Sequence, residues 1–141
     1  MAAGIPDELV RTIEVRASRE RVWAAITDPG ELERWFPERA EVDLRIDGEM
    51  HLTWEAGGDE AVIEVLDPPS TFAFRWRPAG TDRPYTRVTF TLSGEGDVTT
   101  VTLTERGFAA LPDQIHERSY EGNAAGWTSE LEELRAYLEA A

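Results

Sequence analysis

"HERSYEGNAAGWTSELEELRAYLEAA", residues 116–141, decides the fold. Tyr120, Trp127, Leu131, Leu134 and Leu138 recur there at helical spacing, so one stripe is apolar and the rest is largely charged. With the residues back to about Pro112, the segment reads as one helix of ~25 residues, ~37 Å long. Gly122 and Gly126 lie inside it and cost ~1 kcal/mol each relative to alanine. Close approach to a sheet is the expected reason for them.

The sheet is written upstream. "TIEVRAS" (12–18) alternates, with Ile13, Val15 and Ala17 on one face, as in a half-buried strand. Ser18 suits the cap of a helix formed by "RERVWAAI" (19–26), where Val22, Trp23 and Ile26 share a stripe. "AITDPGELERWFPE" (25–38) holds a second short helix. Asp28 caps it, Pro29 takes its first position, Glu31 sits where a capping box wants an acid, and Pro37 ends it. Leu32, Trp35 and Phe36 form its apolar face, a large ring surface for so short an element.

Strand patterns follow: "AEVDLRI" (40–46), with a tight hairpin signal at Asp47–Gly48, then "EMHLTWE" (49–55) and "EAVIEVLD" (60–67), stopped by Pro68–Pro69. "TFAFRWR" (71–77), "TRVTFTLS" (86–93) and "VTTVTLTER" (98–106) complete an antiparallel meander. The predicted class is α+β: a curved antiparallel sheet of about six to seven strands, two short helices after the first strand, and a long C-terminal helix. A sheet with one apolar face needs a cover. Only the terminal helix is long enough, so the sheet should curl around it. The inner face should carry Trp54, Phe72, Phe74, Trp76 and Phe90 opposite Trp127, with Tyr85 and Tyr120 as further candidates. Rings this large either fill the space or hold sheet and helix apart around a cavity.

Composition narrows the function. At 141 residues and 41% hydrophobic, one domain over 1–141 is expected. With no cysteine there is no disulfide and no thiolate nucleophile. All 14 basic residues are arginine, so there is no lysine for a Schiff base. A net charge of −14 repels nucleic-acid backbones and anionic lipid heads, and keeps the chain soluble. No run is long enough to span a membrane, and "MAAGIPDELVRT" does not read as a signal peptide, so the expected location is the cytoplasm.

"IEVRASRERVWAAITDPGELERWFPE" resembles the opening of the helix-grip superfamily, the START-like or Bet v 1-like proteins also called SRPBCC. "EVLDPPSTFAFRW", "TLTERGF" and "GWTSELEELRAYLE" are similar, more narrowly, to the branch named after the activator of Hsp90 ATPase. The resemblance covers nearly the whole chain. It implies a sheet gripping the long helix with a cavity between them, and places Trp35 and Phe36 at the cavity mouth or as a plug at that end of the core. Two departures stand out: Asp47–Gly48 where two glycines are frequent, and Glu105 where a histidine is frequent. The branch's eukaryotic co-chaperones pair this domain with a second, N-terminal one that these residues do not include. A chaperone partner is therefore not expected.

Glu105 is the candidate site residue of most interest. It has the parity of Val101 and Leu103 and should point inward, as a polar anchor, as a general acid/base, or as a strand-end carboxylate reaching water or an arginine. Tyr120, Asn123 and Trp127 face the sheet from the helix, and the amide of Asn123 needs partners there. The candidate ligand-binding set is Trp35, Phe36, Trp54, Phe74, Trp76 and Phe90, joined by Glu105, Tyr120, Asn123 and Trp127. His51 should be on the surface, and His116, near the start of the last helix, could reach the cavity mouth. No metal site and no cofactor are expected, because the histidines lack ligand spacing. Arg75 and Arg77 should face outward and pair with Glu60, Glu64 or Glu49.

Three functions compete: a binder of a hydrophobic small molecule, lipid-like or aromatic; a cyclase- or dehydratase-like enzyme using Glu105; and a co-chaperone-type interaction module. The first is preferred. A continuous cavity walled by Glu105 would support the first two; a filled interior would sink both and favour the third. An edge strand or exposed tryptophan could also support a homodimer.

Overall fold

The computed structural model describes residues 6–140. Residues 1–5, where the N-terminal stretch tested for a leader begins, lie outside the described residues. In chain order the elements are β1 (Glu8–Val15), α1 (Arg19–Thr27), α2 (Pro29–Trp35), β2 (Arg39–Val42), β3 (Glu49–Trp54), β4 (Gly57–Asp67), β5 (Thr71–Pro78), β6 (Thr86–Ser93), β7 (Thr99–Arg106) and α3 (Asp113–Glu139). A 3-10 turn at Phe108–Ala110 links β7 to α3. The sheet has seven strands in the order β1-β7-β6-β5-β4-β3-β2, with every neighbouring pair antiparallel. It is a curved sheet with the long helix against its apolar face, the α+β class read from the sequence.

The local signals act as their chemistry requires. The Ser18 hydroxyl accepts from the Arg21 amide at 3.1 Å, and the Asp28 carboxylate accepts from the Glu31 amide at 3.0 Å. The capping box is only half made. The Glu31 carboxylate pairs with Arg21 and accepts from the Tyr137 hydroxyl instead, tying α2 to the end of α3. The inward faces of β5, β6 and β7 are buried at Phe72, Phe74, Val88, Phe90, Val101 and Leu103, under Leu131 and Leu134 of α3.

Three expectations need correction. The alternation of "AEVDLRI" outlasts its strand: β2 stops at Val42, and Leu44 and Ile46 are exposed. The connection is not a two-residue hairpin but residues 43–48, folded back on β4 by hydrogen bonds between Asp47 and Ile63 and between Gly48 and Ile63. A Cβ at Gly48 would lie 1.9 Å from the Asp43 carbonyl oxygen, so the turn demands glycine for space. Tyr85 lies on the outer face, beneath the guanidinium groups of Arg75 and Arg77. Those arginines pair with Glu64 and Glu60 as expected, at 3.1 and 3.0 Å.

The seat of α3 positions the site. Polar contacts fasten its C-terminal half to β1 and the residue just after it: Arg11 to Thr128, Arg135 to the Glu14 carbonyl, and the Arg16 amide to Glu139. The helix thus leans on the β1 side of the sheet. A gap opens over the start of β4, the end of β5 and the loop that follows it.

Candidate functional site

Glu105 organises this region. It is fully buried near the end of β7, and its carboxylate accepts hydrogen bonds from four side chains. Trp76 of β5 donates from Nε1 at 2.8 Å, Thr86 of β6 from its hydroxyl at 2.6 Å, and Trp127 of α3 from Nε1 at 2.9 Å. Asn123 Nδ2 spans both oxygens at 3.0 and 3.1 Å. Indole nitrogens only donate, so the cage matches an acceptor-only, ionised carboxylate. A lone buried charge is costly, and here the cost is offset by donors from three elements. Glu105 is fully buried from solvent and pairs with no arginine among the described residues.

Around this hub the rings meet. Trp76 and Trp127 stack with centroids 5.7 Å apart, and Trp54 meets Trp76 edge-on at 6.5 Å. Phe36 sits among them, 5.1 Å from Trp54, 6.1 Å from Trp76 and 5.2 Å from Trp127, with Trp35 stacked behind it at 5.1 Å. The ring-rich tip of α2 is therefore a wedge in the aromatic cluster. It fills the middle of the grip, so the interior is not one continuous cavity, and Glu105 is not in a cavity wall.

Space remains beside the cluster. A cleft of about 320 Å³ is bounded by Phe36, Trp54, Trp76 and Trp127, by Asp59 and the loop through Pro84, and by the middle of α3. Ser119, Gly122, Asn123, Gly126, Trp127 and Glu130 present one face of α3 to it. No heavy atom lies within 4 Å of a Cβ built at Gly122 or Gly126. The glycines do not bring the helix onto the sheet, as expected from sequence; they leave the cleft open.

Residues 16–139 match the sequence profile of the activator of Hsp90 ATPase homolog 1-like proteins. The chain belongs to this family. Its fold is close to that of CalU16 from Micromonospora echinospora, 26% identical with a TM-score of 0.75 over 93% of this chain and 75% of that one. The protein MLL2253 from Mesorhizobium loti is 24% identical, with a TM-score of 0.84 over 95% and 98% of the two chains. PFC0360w, an HSP90 activator from Plasmodium falciparum, is 22% identical, with a TM-score of 0.80 over 95% and 97%. No curated protein matches.

Within this family member, Phe36, Trp54, Trp76, Asn123 and Trp127 of the candidate set line the cleft. The other five do not. Trp35 is buried behind Phe36 and donates to the Ala25 carbonyl at 2.8 Å, while Phe74 and Phe90 support Trp76 and Trp127 from the core. Tyr120 packs edge-on against Phe108, and Glu105 lies behind the residues it holds. His116 is also displaced from the mouth: it is buried with Nε2 3.3 Å from the Pro6 carbonyl. His51 is exposed, and no metal-binding cluster of His, Asp or Glu occurs among the described residues.

Sequence reading missed Asp59, Thr86, Ser119 and Glu130 as cleft residues. Thr86 has the parity of Val88 and Phe90, and Glu130 lies at i+3 from Trp127, so both faces were legible. Asp59 shares the parity of Ala61 and Ile63, but it lies just before the stretch read as a strand, so its face went unread. Burial pushes the Asp59 carboxyl up to about 6, with Glu105 adding to the effect, and burial pushes Glu130 up to about 7, with Glu133 adding to it. No described helix is long and apolar enough to cross a membrane.

Proposed function

We propose that the chain binds an apolar, ring-containing small molecule in the cleft beside Phe36. The observation that carries this reading is the about 320 Å³ space walled by Trp54, Trp76 and Trp127 and kept free by Gly122 and Gly126. Its size is at the low end for small-molecule sites, and aromatic walls with a few fixed polar groups are their usual make-up. Glu105 serves here as a positioning residue. By locking two indoles and an amide, it fixes the wall before a ligand arrives, which lowers the ordering cost of binding.

Catalysis by Glu105 is not favoured by this geometry, since both its oxygens are engaged and neither lines the cleft. The family's description and the acidic exterior motivate a chaperone-interaction reading, but no feature of the cleft requires it.

Native mass spectrometry of freshly purified protein, paired with tryptophan-fluorescence titration against ring-containing metabolites, tests the proposal. The wild type should carry or take up one small molecule per chain, and Gly126→Trp, which places an indole in the cleft, should not. Failure of the wild type in both measurements would overturn the reading. The same spectrum counts subunits, which tests a homodimer through the open edges of β1 and β2.

A further inference from the structure

The cleft carries an unanswered charge. Asn123, Trp127 and Glu130 follow one another at i, i+4 and i+7 on one face of α3, and all three line it. Asn123 and Trp127 direct their donors to Glu105. Glu130 has no such partner: its Oε2 is buried and accepts no hydrogen bond among the described residues. An unpaired buried acceptor loses hydration without compensation. Asp59 is a second carboxyl in the wall.

The charges acting on these two groups aggravate the mismatch. Glu105 acts on Asp59 and Glu133 on Glu130, in the same direction as burial. Two arginines also line the cleft without relieving it. Arg77 is held by Glu60 at 3.0 Å and lies over the Tyr85 ring, while Arg83 is exposed in the loop. Much of the remaining wall is aromatic, and ring faces attract cations.

We propose that the ligand of this cleft bears a positively charged nitrogen, a protonated amine or quaternary ammonium, on its apolar body. The cation would donate to, or pair with, Glu130 while its body lies against the indoles. A neutral ligand without a donor leaves the Glu130 oxygen bare, and an anion meets two carboxyls beside one arginine already held by Glu60 and one exposed in the loop. The net charge of −14 also concentrates cations around the molecule. This inference rests on the binding reading above and adds the sign of the ligand's charge.

Three probes of one shape test it: naphthylmethylamine, naphthylmethanol and naphthoate, titrated calorimetrically into the protein at about pH 8, above both carboxyls. The amine should bind at least about tenfold tighter than the alcohol, and naphthoate weakest, as expected for one desolvated charge pair. Glu130→Gln should remove most of the amine's advantage over the alcohol. Asp59→Asn, assayed alongside, should weaken the amine less. An alcohol that binds as well as the amine, or naphthoate binding tightest, would overturn the cation while leaving the cleft a binding site. Absence of binding by all three probes would overturn the cation inference, and the uptake experiment above judges the binding reading separately.

Discussion

At residue scale, Glu105 shows how a buried charge can be structural. Removing its negative charge while keeping its shape sets an amide NH₂ against donors that need an acceptor. Glu105→Gln should therefore lower unfolding stability by about 3 kcal/mol in urea melts, the cost of losing charged hydrogen bonds and stranding their partners. The inward direction of Glu105 was legible from strand parity. Its four partners were not, because they lie on three elements and meet only when the sheet closes over α3.

Glu130 makes the opposite prediction. The fold holds its carboxyl at about 7, above the ~4.3 of an unfolded glutamate, so the native state keeps the proton longer. Stability is then fully present below about pH 4, falls as pH rises toward about 7, and levels off above it. Glu130→Gln removes that decline. It should match wild type near pH 4 and exceed it at about pH 8 by on the order of 1 kcal/mol, a figure reduced for the part of the side chain that water screens. Urea melts at the two pH values give the comparison.

At the scale of elements, α3 gives up helix stability to keep an opening. Gly126 is helical and faces empty space, so Gly126→Ala meets no neighbour and should stabilise the protein by about 0.5–1 kcal/mol while trimming the cleft. A thermal melt checks the first effect and probe affinity the second. The sequence showed the helix, its stripe and its glycines. It did not show which way the glycines face, because a missing side chain leaves no periodic signal. In α2 the reverse held. The size of Trp35 and Phe36 was plain, and the resemblance left open whether they close the mouth or plug that end of the core; how far Phe36 enters depends on the three indoles around it. The misread hairpin after β2 has a simple cause: alternation records which face a residue would take in a strand, and Leu44 and Ile46 keep the pattern without a partner strand.

At the scale of the molecule, strand count, helix order and family were readable because each rests on long periodic segments. The cleft was not, since it is what remains after the rings have packed. The three polar fastenings between α3 and residues 11–16 bear on how that remainder behaves. They stitch the C-terminal half of the helix to the β1 edge, and the knot at Glu105 ties its middle to the adjoining strands β7, β6 and β5. On the binding reading, that fastening holds one wall of the cleft still, so the girth of an accepted guest should be set by the side chains that line the space and not by movement of the strand ladder.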